Sequence, residues 1–233
     1  MTDIREGFRK MSRAKYSPEK QRSIMATFIN ATADIIKNEG IEAISIRSVA
    51  SRAGYSSATL YLYFDDINQL EALASISYLR DYVAEISSKM DDFEDPRDVY
   101  LYTWDAFCRH SFANAPVFME LFFGQYGAEL DDTVKKYYSV FPHELEHISS
   151  KALSMLMAGN LLERNINILR LHTQAVGIPE EYENLINEMT VSYYRGLLER
   201  ACAFKEPLSE EQVNALKEEF LFGASWLIDK GAN

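Results

Sequence analysis

The segment His143-Glu144-Leu145-Glu146-His147 spells H-E-x-x-H. In that spacing two histidines one helical turn apart can hold zinc while the glutamate activates water. A zinc protease needs more than these two ligands. Ser150 and Leu153 stand where a glycine and a third histidine would extend the motif, and Asn167 stands where a more distant glutamate would complete it. No strand-like run that could align a peptide is evident. The pair therefore reads better as the edge of a pocket, the site of an effector metal, or plain surface, with neither a metal nor any other cofactor expected. No glycine-rich phosphate loop and no nucleophile–base arrangement occur elsewhere, so the chain does not read as an enzyme. A zinc metalloprotease is kept only as the alternative.

The second concentration of chemistry lies in residues 45–64. Ser56, Ser57, Ala58, Thr59, Tyr61 and Tyr63 bring small hydroxyls and phenols to a short helix, around or opposite the face on which Leu60 and Phe64 pack against Val49, Ala50 and Phe28. Such groups reach phosphates and base edges in a major groove, and the guanidinium of Arg47 can pair with guanine. Three elements must position them. Ser17-Pro18 opens a first helix with Met25, Phe28, Ile29, Thr32, Ile35 and Ile36 on one face, and Gly40 closes it. A second runs from after Ser45 to about Ala53, Gly54-Tyr55 turns the chain, and Ser56-Ser57 cap a third that ends near Phe64. Short helices with a three- to four-residue turn between the last two form a helix-turn-helix. Ahead of them, Arg5, Arg9, Lys10, Arg13 and Lys15 make a basic arm suited to a minor groove or the phosphates.

The stretch Ser45 to Phe64 closely resembles the signature of the TetR/AcrR family of repressors, through Val49-Ala50, Ala53-Gly54, Ser56, Thr59-Leu60-Tyr61 and Phe64, with Leu70 beyond. The resemblance covers about the first quarter of the chain. It implies a helix-turn-helix domain over 1–66, with DNA contacts from Arg47, Ser56, Ser57, Ala58, Thr59, Tyr61 and Tyr63 and from Arg13 and Lys15 in the arm. It also implies an all-helical ligand-sensing and dimerisation domain over 67–233, giving an all-α protein of about nine to ten helices. Two departures remove phosphate-binding charge: Ile67, after Asp65-Asp66, replaces a usual lysine, and Ser57 replaces another. They lower the expected affinity for DNA and leave open a helical scaffold that no longer binds it.

The rest of the chain fits that division. The net charge is −11, yet residues 1–64 hold ten basic and six acidic residues, leaving fourteen and twenty-nine for the remainder. Screening within about 8–10 Å lets a basic head meet DNA beside an acidic body. Helices are expected over 67–90, 97–113, 116–126, 130–158, 161–176, 180–204 and 209–230, with an acidic breaker at 91–96. Trp104, Phe107, Cys108, Phe118, Phe122 and Met155 are candidates for an apolar or aromatic ligand's pocket, although aromatic stripes also make ordinary cores. Met189, Tyr193, Leu197, Phe220, Gly223 and Leu227 are candidates for the interface of a homodimer, with Gly223 suggesting close helix approach. A two-fold dimer of this family implies a near-palindromic operator, with double-stranded DNA and a small effector of unknown identity as partners. Two cysteines, Cys108 and Cys202, argue against a disulfide framework, and no run is apolar enough for a membrane, so a cytoplasmic protein is expected.

Overall fold

The computed structural model describes residues 16–146 and 148–231. The basic-arm residues Arg5, Arg9, Lys10, Arg13 and Lys15, and one histidine of the H-E-x-x-H segment, His147, lie outside the described residues. Among the described residues all regular structure is helical.

Helix α1 (Pro18–Glu39) starts where the Ser17 hydroxyl accepts from the Lys20 amide at 3.3 Å, and it ends at Gly40, whose φ of +88° suits glycine. Its buried stripe runs Ile24, Phe28, Ile29, Ala31, Thr32, Ile35 and Ile36. Met25, expected on that stripe, is only half-buried. Helix α2 (Ile46–Ala53) opens with a reciprocal capping box between Ser45 and Ser48 and closes on Gly54 at φ +71°. Helix α3 (Ser57–Tyr63) is capped by Ser56, whose hydroxyl accepts from the Thr59 amide at 3.2 Å. Phe28 locks the three together, 5.3 Å from the Tyr55 ring and 5.9 Å edge-on to Phe64.

Two expected long helices are broken. The stretch 67–90 divides into α4 (Ile67–Ser75), a 3-10 turn at Ile76–Leu79 and α5 (Arg80–Lys89). The Ser77 hydroxyl bonds back to the Ala74 carbonyl at 2.7 Å, which tightens the backbone there. The stretch 130–158 divides into α8 (Leu130–Val140), a 3-10 turn at Pro142–Leu145 and α9 (Ser150–Leu156). Pro142 has no amide to continue the ladder. Between these lie α6 (Pro96–Phe112) and α7 (Ala115–Phe123). After them come α10 (Leu161–Val176), α11 (Glu180–Cys202) and α12 (Glu210–Gly231). Gly159-Asn160 breaks the chain rather than bending it, because Asn160 caps α10 by accepting from the Glu163 amide at 3.2 Å. These breaks leave more segments than the nine to ten helices expected.

Helix α6 is the centre of the body and packs on α5, α7, α10, α11 and α12. Arg97 ties it to α12 through Asp229 at 2.9 Å and the Ser225 hydroxyl at 2.7 Å. Helix α4 packs on α1 in the head and on α7 and α8 in the body, so it belongs to both. Among the described residues no helix is long and apolar enough to cross a membrane.

Candidate nucleic-acid interface and buried cavity

On α3 the sequence separates two faces. Leu60 and Phe64 are fully buried, while Ser56, Ser57 and Ala58 are exposed and Tyr61 is 44% exposed. Thr59 is half-buried, its hydroxyl 2.9 Å from that of Ser56. Arg47, near the start of α2, is exposed. Tyr63 departs from expectation: it is 2% exposed and among the largest buried side chains. Three residues beyond Leu60, it falls on the same side of the helix at 100° per residue, so its ring packs inward. Arg52 is also spent within the head, since Asp34 and Glu39 of α1 both hold its guanidinium.

The two acidic residues after α3 have internal work. Asp66 caps α4, accepting from the Gln69 amide at 2.7 Å, and its carboxylate accepts the Tyr126 hydroxyl at 3.1 and 3.2 Å. Burial first, then that bond to Asp66, pushes the Tyr126 phenol up to about 12, so it remains a donor at neutral pH. Asp65 accepts from the Gln69 side chain at 2.8 Å. Beside them Asn68 donates to Gln125 at 2.8 Å, and Lys136 of α8 reaches Gln69 at 2.7 Å and lies 5.5 Å from the Phe64 ring centre. The loop after α7 and the middle of α8 thus grip the first turn of α4.

The body holds a partly open cavity of about 30 Å³, room for one or two waters. Trp104, Phe107, Phe122 and Met155 line it, as do Tyr82, Tyr100, Thr103, Leu161, Arg164, Asn165 and Ile168. Cys108 and Phe118 do not; both are fully buried in the core beside it. On α6, Cys108 sits four residues past Trp104 and one past Phe107, and burial pushes its thiol well up. The candidates, drawn from α6, α7 and α9, missed the far wall, which comes from α5 and α10. Its signal was in the sequence: Arg164, Asn165 and His172 are polar residues on the buried stripe of α10 with Leu161, Ile168 and Leu169.

Helices α11 and α12 pack on each other and leave an apolar outer face. Met189 is 45% exposed on it, flanked by Tyr182 and Leu185, with Phe222 and Trp226 from α12. Leu197 and Phe220, expected on such a face, are buried within the chain itself. They fall on the inner sides of their helices, where Trp104 packs 4.6 Å from Phe220. Leu227 and Tyr193 are half-buried. The close approach at Gly223 is to Tyr193 of the same chain, whose ring a Cβ there would meet at 2.5 Å.

In the H-E-x-x-H segment the backbone is a 3-10 turn over Pro142–Leu145, and of the described residues between it and α9, Glu146, Ile148 and Ser149 lie outside any helix. The zinc-protease reading requires both histidines on one α-helix. Glu144 accepts the Tyr137 hydroxyl at 3.0 Å, and among the described residues no group of three or more His, Cys, Asp or Glu side chains could hold a metal.

Residues 28–72 match the family described as bacterial regulatory proteins, tetR family. By fold the chain is similar to the crystal structure of RolR in complex with resorcinol, at 16% identity over 91% of this chain and 96% of that one, with a TM-score of 0.54. It is also similar to FadR of Thermus thermophilus, a TetR family transcriptional repressor in complex with lauroyl-CoA, at 12% identity over 86% and 92%, with a TM-score of 0.56. No curated protein sequence matches the chain. At such identities the two structures speak for the fold, and the sequence match falls on the helices that carry the exposed face of α3. The chain thus carries the tetR-family match over residues 28–72 and is similar in fold, over most of its length, to regulators of that family.

Proposed function

We propose that this protein is a homodimeric repressor that grips a near-palindromic operator and lets go when a small, apolar or aromatic effector enters the α5–α6–α7–α9–α10 cavity. The observation that carries the proposal is the two-faced helix α3. Leu60, Tyr63 and Phe64 fix it in the core, so Ser56, Ser57, Ala58, Thr59 and Tyr61, with Arg47 alongside, form an outward face of a size and chemistry that suit a major groove. The acidic residues that weakened this reading at the level of sequence have a structural part, since they hold Gln69 and Tyr126 at the start of α4. A second copy suits the outer face of α11 and α12, where Tyr182, Leu185, Met189, Phe222 and Trp226 are all exposed. Two-fold pairing there would set the recognition helices about one DNA turn apart, ~34–36 Å or somewhat wider.

The two fold relatives each hold a ligand, resorcinol in one and lauroyl-CoA in the other, which supports a ligand-responsive reading of this chain. In this chain a ligand larger than one or two waters must push the cavity walls outward. Phe122 is one of those walls. Three and four residues later, Gln125 and Tyr126 hold Asn68 and Asp66, directly after the recognition helix. Displacing α7 therefore moves the first turn of α4, which biases the spacing of the two heads.

The test is fluorescence anisotropy with the protein's own flanking intergenic DNA at two salt concentrations, beside a scrambled duplex. Tight selective binding that Tyr61→Ala and Arg47→Ala weaken is expected. Equal binding to both duplexes would reduce the protein to a nonspecific binder or a scaffold.

A further inference from the structure

We propose that the effector is an organic anion: an apolar or aromatic body bearing a carboxylate that Arg164 receives. The inference deepens the effector-cavity reading above and rests on it.

Arg164 is 6% exposed and lines the cavity. Its Nη2 donates to the Leu156 carbonyl at 2.8 Å and its Nε to the Gly159 carbonyl at 3.3 Å, so main-chain dipoles hold it in place. A guanidinium has five donors, and these bonds use two. Phe122 lies against it, the guanidinium carbon 5.6 Å from the ring centre. Among the described residues no carboxylate lies within ion-pair range of it. Asp131 acts on it only from a distance and is itself held by Lys135 at 2.7 Å. The nearby phenols of Tyr82 and Tyr138 are pushed up by burial and stay neutral. Burial lowers the guanidinium to about 10, so it is charged at neutral pH. A buried cation without a counter-charge costs stability, and a ligand anion supplies what the fold withholds.

The cavity's other polar groups are already paired, save the Tyr82 hydroxyl, which reaches only the Met155 sulfur, at 3.6 Å. Asn165 accepts from the Trp104 indole at 2.8 Å and donates to Asn187 at 2.8 Å. Thr103 donates to the Val99 carbonyl at 2.7 Å, and the Tyr100 hydroxyl faces Thr190 at 3.5 Å. Arg164 is thus the charged lining group with donors to spare, set in a largely aromatic and aliphatic wall. A neutral phenol or an alcohol would leave its charge unanswered. A carboxylate answers it with short, charge-assisted bonds. Met155, unbranched and adaptable, and the Phe122 ring are the side chains whose turning would make room.

The experiment is calorimetric titration of the full-length protein with three probe pairs: benzoate and benzamide, phenylacetate and phenylacetamide, octanoate and octanamide. Each pair keeps its shape and changes only the charge. At least one carboxylate is expected to bind tenfold or more tighter than its amide, the size of a hydrogen bond to a charged group. Arg164→Gln should erase that preference while leaving amide affinity within about threefold, and Arg164→Lys should keep part of it. Should Arg164→Gln fail to fold, the ratios on the unsubstituted protein and on Arg164→Lys decide. Amides that bind as well as carboxylates would overturn the anion and leave the cavity standing. Binding by none of the six probes would overturn both.

Discussion

Replacing Asp66 by alanine should cost more than a lost helix cap, because its carboxylate serves two partners at once. It accepts the Gln69 amide at 2.7 Å at the start of α4, and the Tyr126 hydroxyl at 3.1 and 3.2 Å from the loop after α7. An aspartate cap contributes about 1 kcal/mol. A hydrogen bond to a charged group contributes about 1.5–3 kcal/mol, and this half-buried one belongs near the lower figure. Asp66→Ala should therefore lower unfolding stability by roughly 2.5 kcal/mol, and Tyr126→Phe by roughly 1.5 kcal/mol. The double variant should cost little more than Asp66→Ala alone, leaving a coupling of about 1.5 kcal/mol. Urea unfolding followed by circular dichroism measures all four proteins, with the slope checked for constancy so that the midpoints compare. Costs that add to within about 0.5 kcal/mol would mean that the two residues do not interact, and the proposed path from cavity to recognition helix would lose its joint. Asp66→Asn, which keeps the cap and leaves the Tyr126 hydroxyl a neutral acceptor, should cost less than either single variant.

Tyr61→Ala should weaken operator binding while changing stability by no more than about 0.5 kcal/mol, whereas Tyr63→Ala, two residues on, should cost about 3–5 kcal/mol because its ring is buried; anisotropy and urea melts on both variants check the contrast. Phe222→Glu with Trp226→Glu, at residues 78% and 54% exposed, should shift the protein from dimer to monomer in sedimentation equilibrium without unfolding it. Glu71 is pushed up to about 7, by burial first and then by Glu120 and Glu42. The folded state therefore holds this proton more tightly than the unfolded chain, and stability falls as pH rises from about 4.5 to 7. Glu71→Gln should melt higher than the parent at pH 8 and alike near pH 4, and an unchanged difference between those two pH values would refute the assignment.

The head was legible because its signals are local. Ser17, Ser45 and Ser56 each cap within three residues, and Gly40 and Gly54 stop helices where a positive φ is needed. The misplacement of Tyr63 was a matter of phase within one helix rather than of fold. The breaks at Ser77 and Pro142 were less legible: a serine inside a helical pattern is usually tolerated, and a proline does not say how much chain beyond it leaves the helix. The turn that removed the α-helix from under the H-E-x-x-H segment followed from Pro142 but reached further than its immediate neighbour.

The body shows why an aromatic run alone cannot locate a site. Trp104 and Cys108 lie one turn apart on α6, and Phe118 and Phe122 one turn apart on α7, yet only one of each pair lines the cavity. All four are apolar and buried, so hydrophobic periodicity treats them alike. What separates cavity from core is the opposite wall, and that wall is distant in sequence; the bond from Trp104 to Asn165 spans 61 residues. The informative residues are those that break the pattern. A buried stripe gains nothing from Arg164 or Asn165 as packing, and each costs desolvation that leucine would not. Asn165 recovers that cost through two side-chain partners on other helices. Arg164 recovers part of it through two carbonyls and keeps its charge unanswered within the described protein, which is the economy of a site that awaits a ligand rather than of a core that is finished.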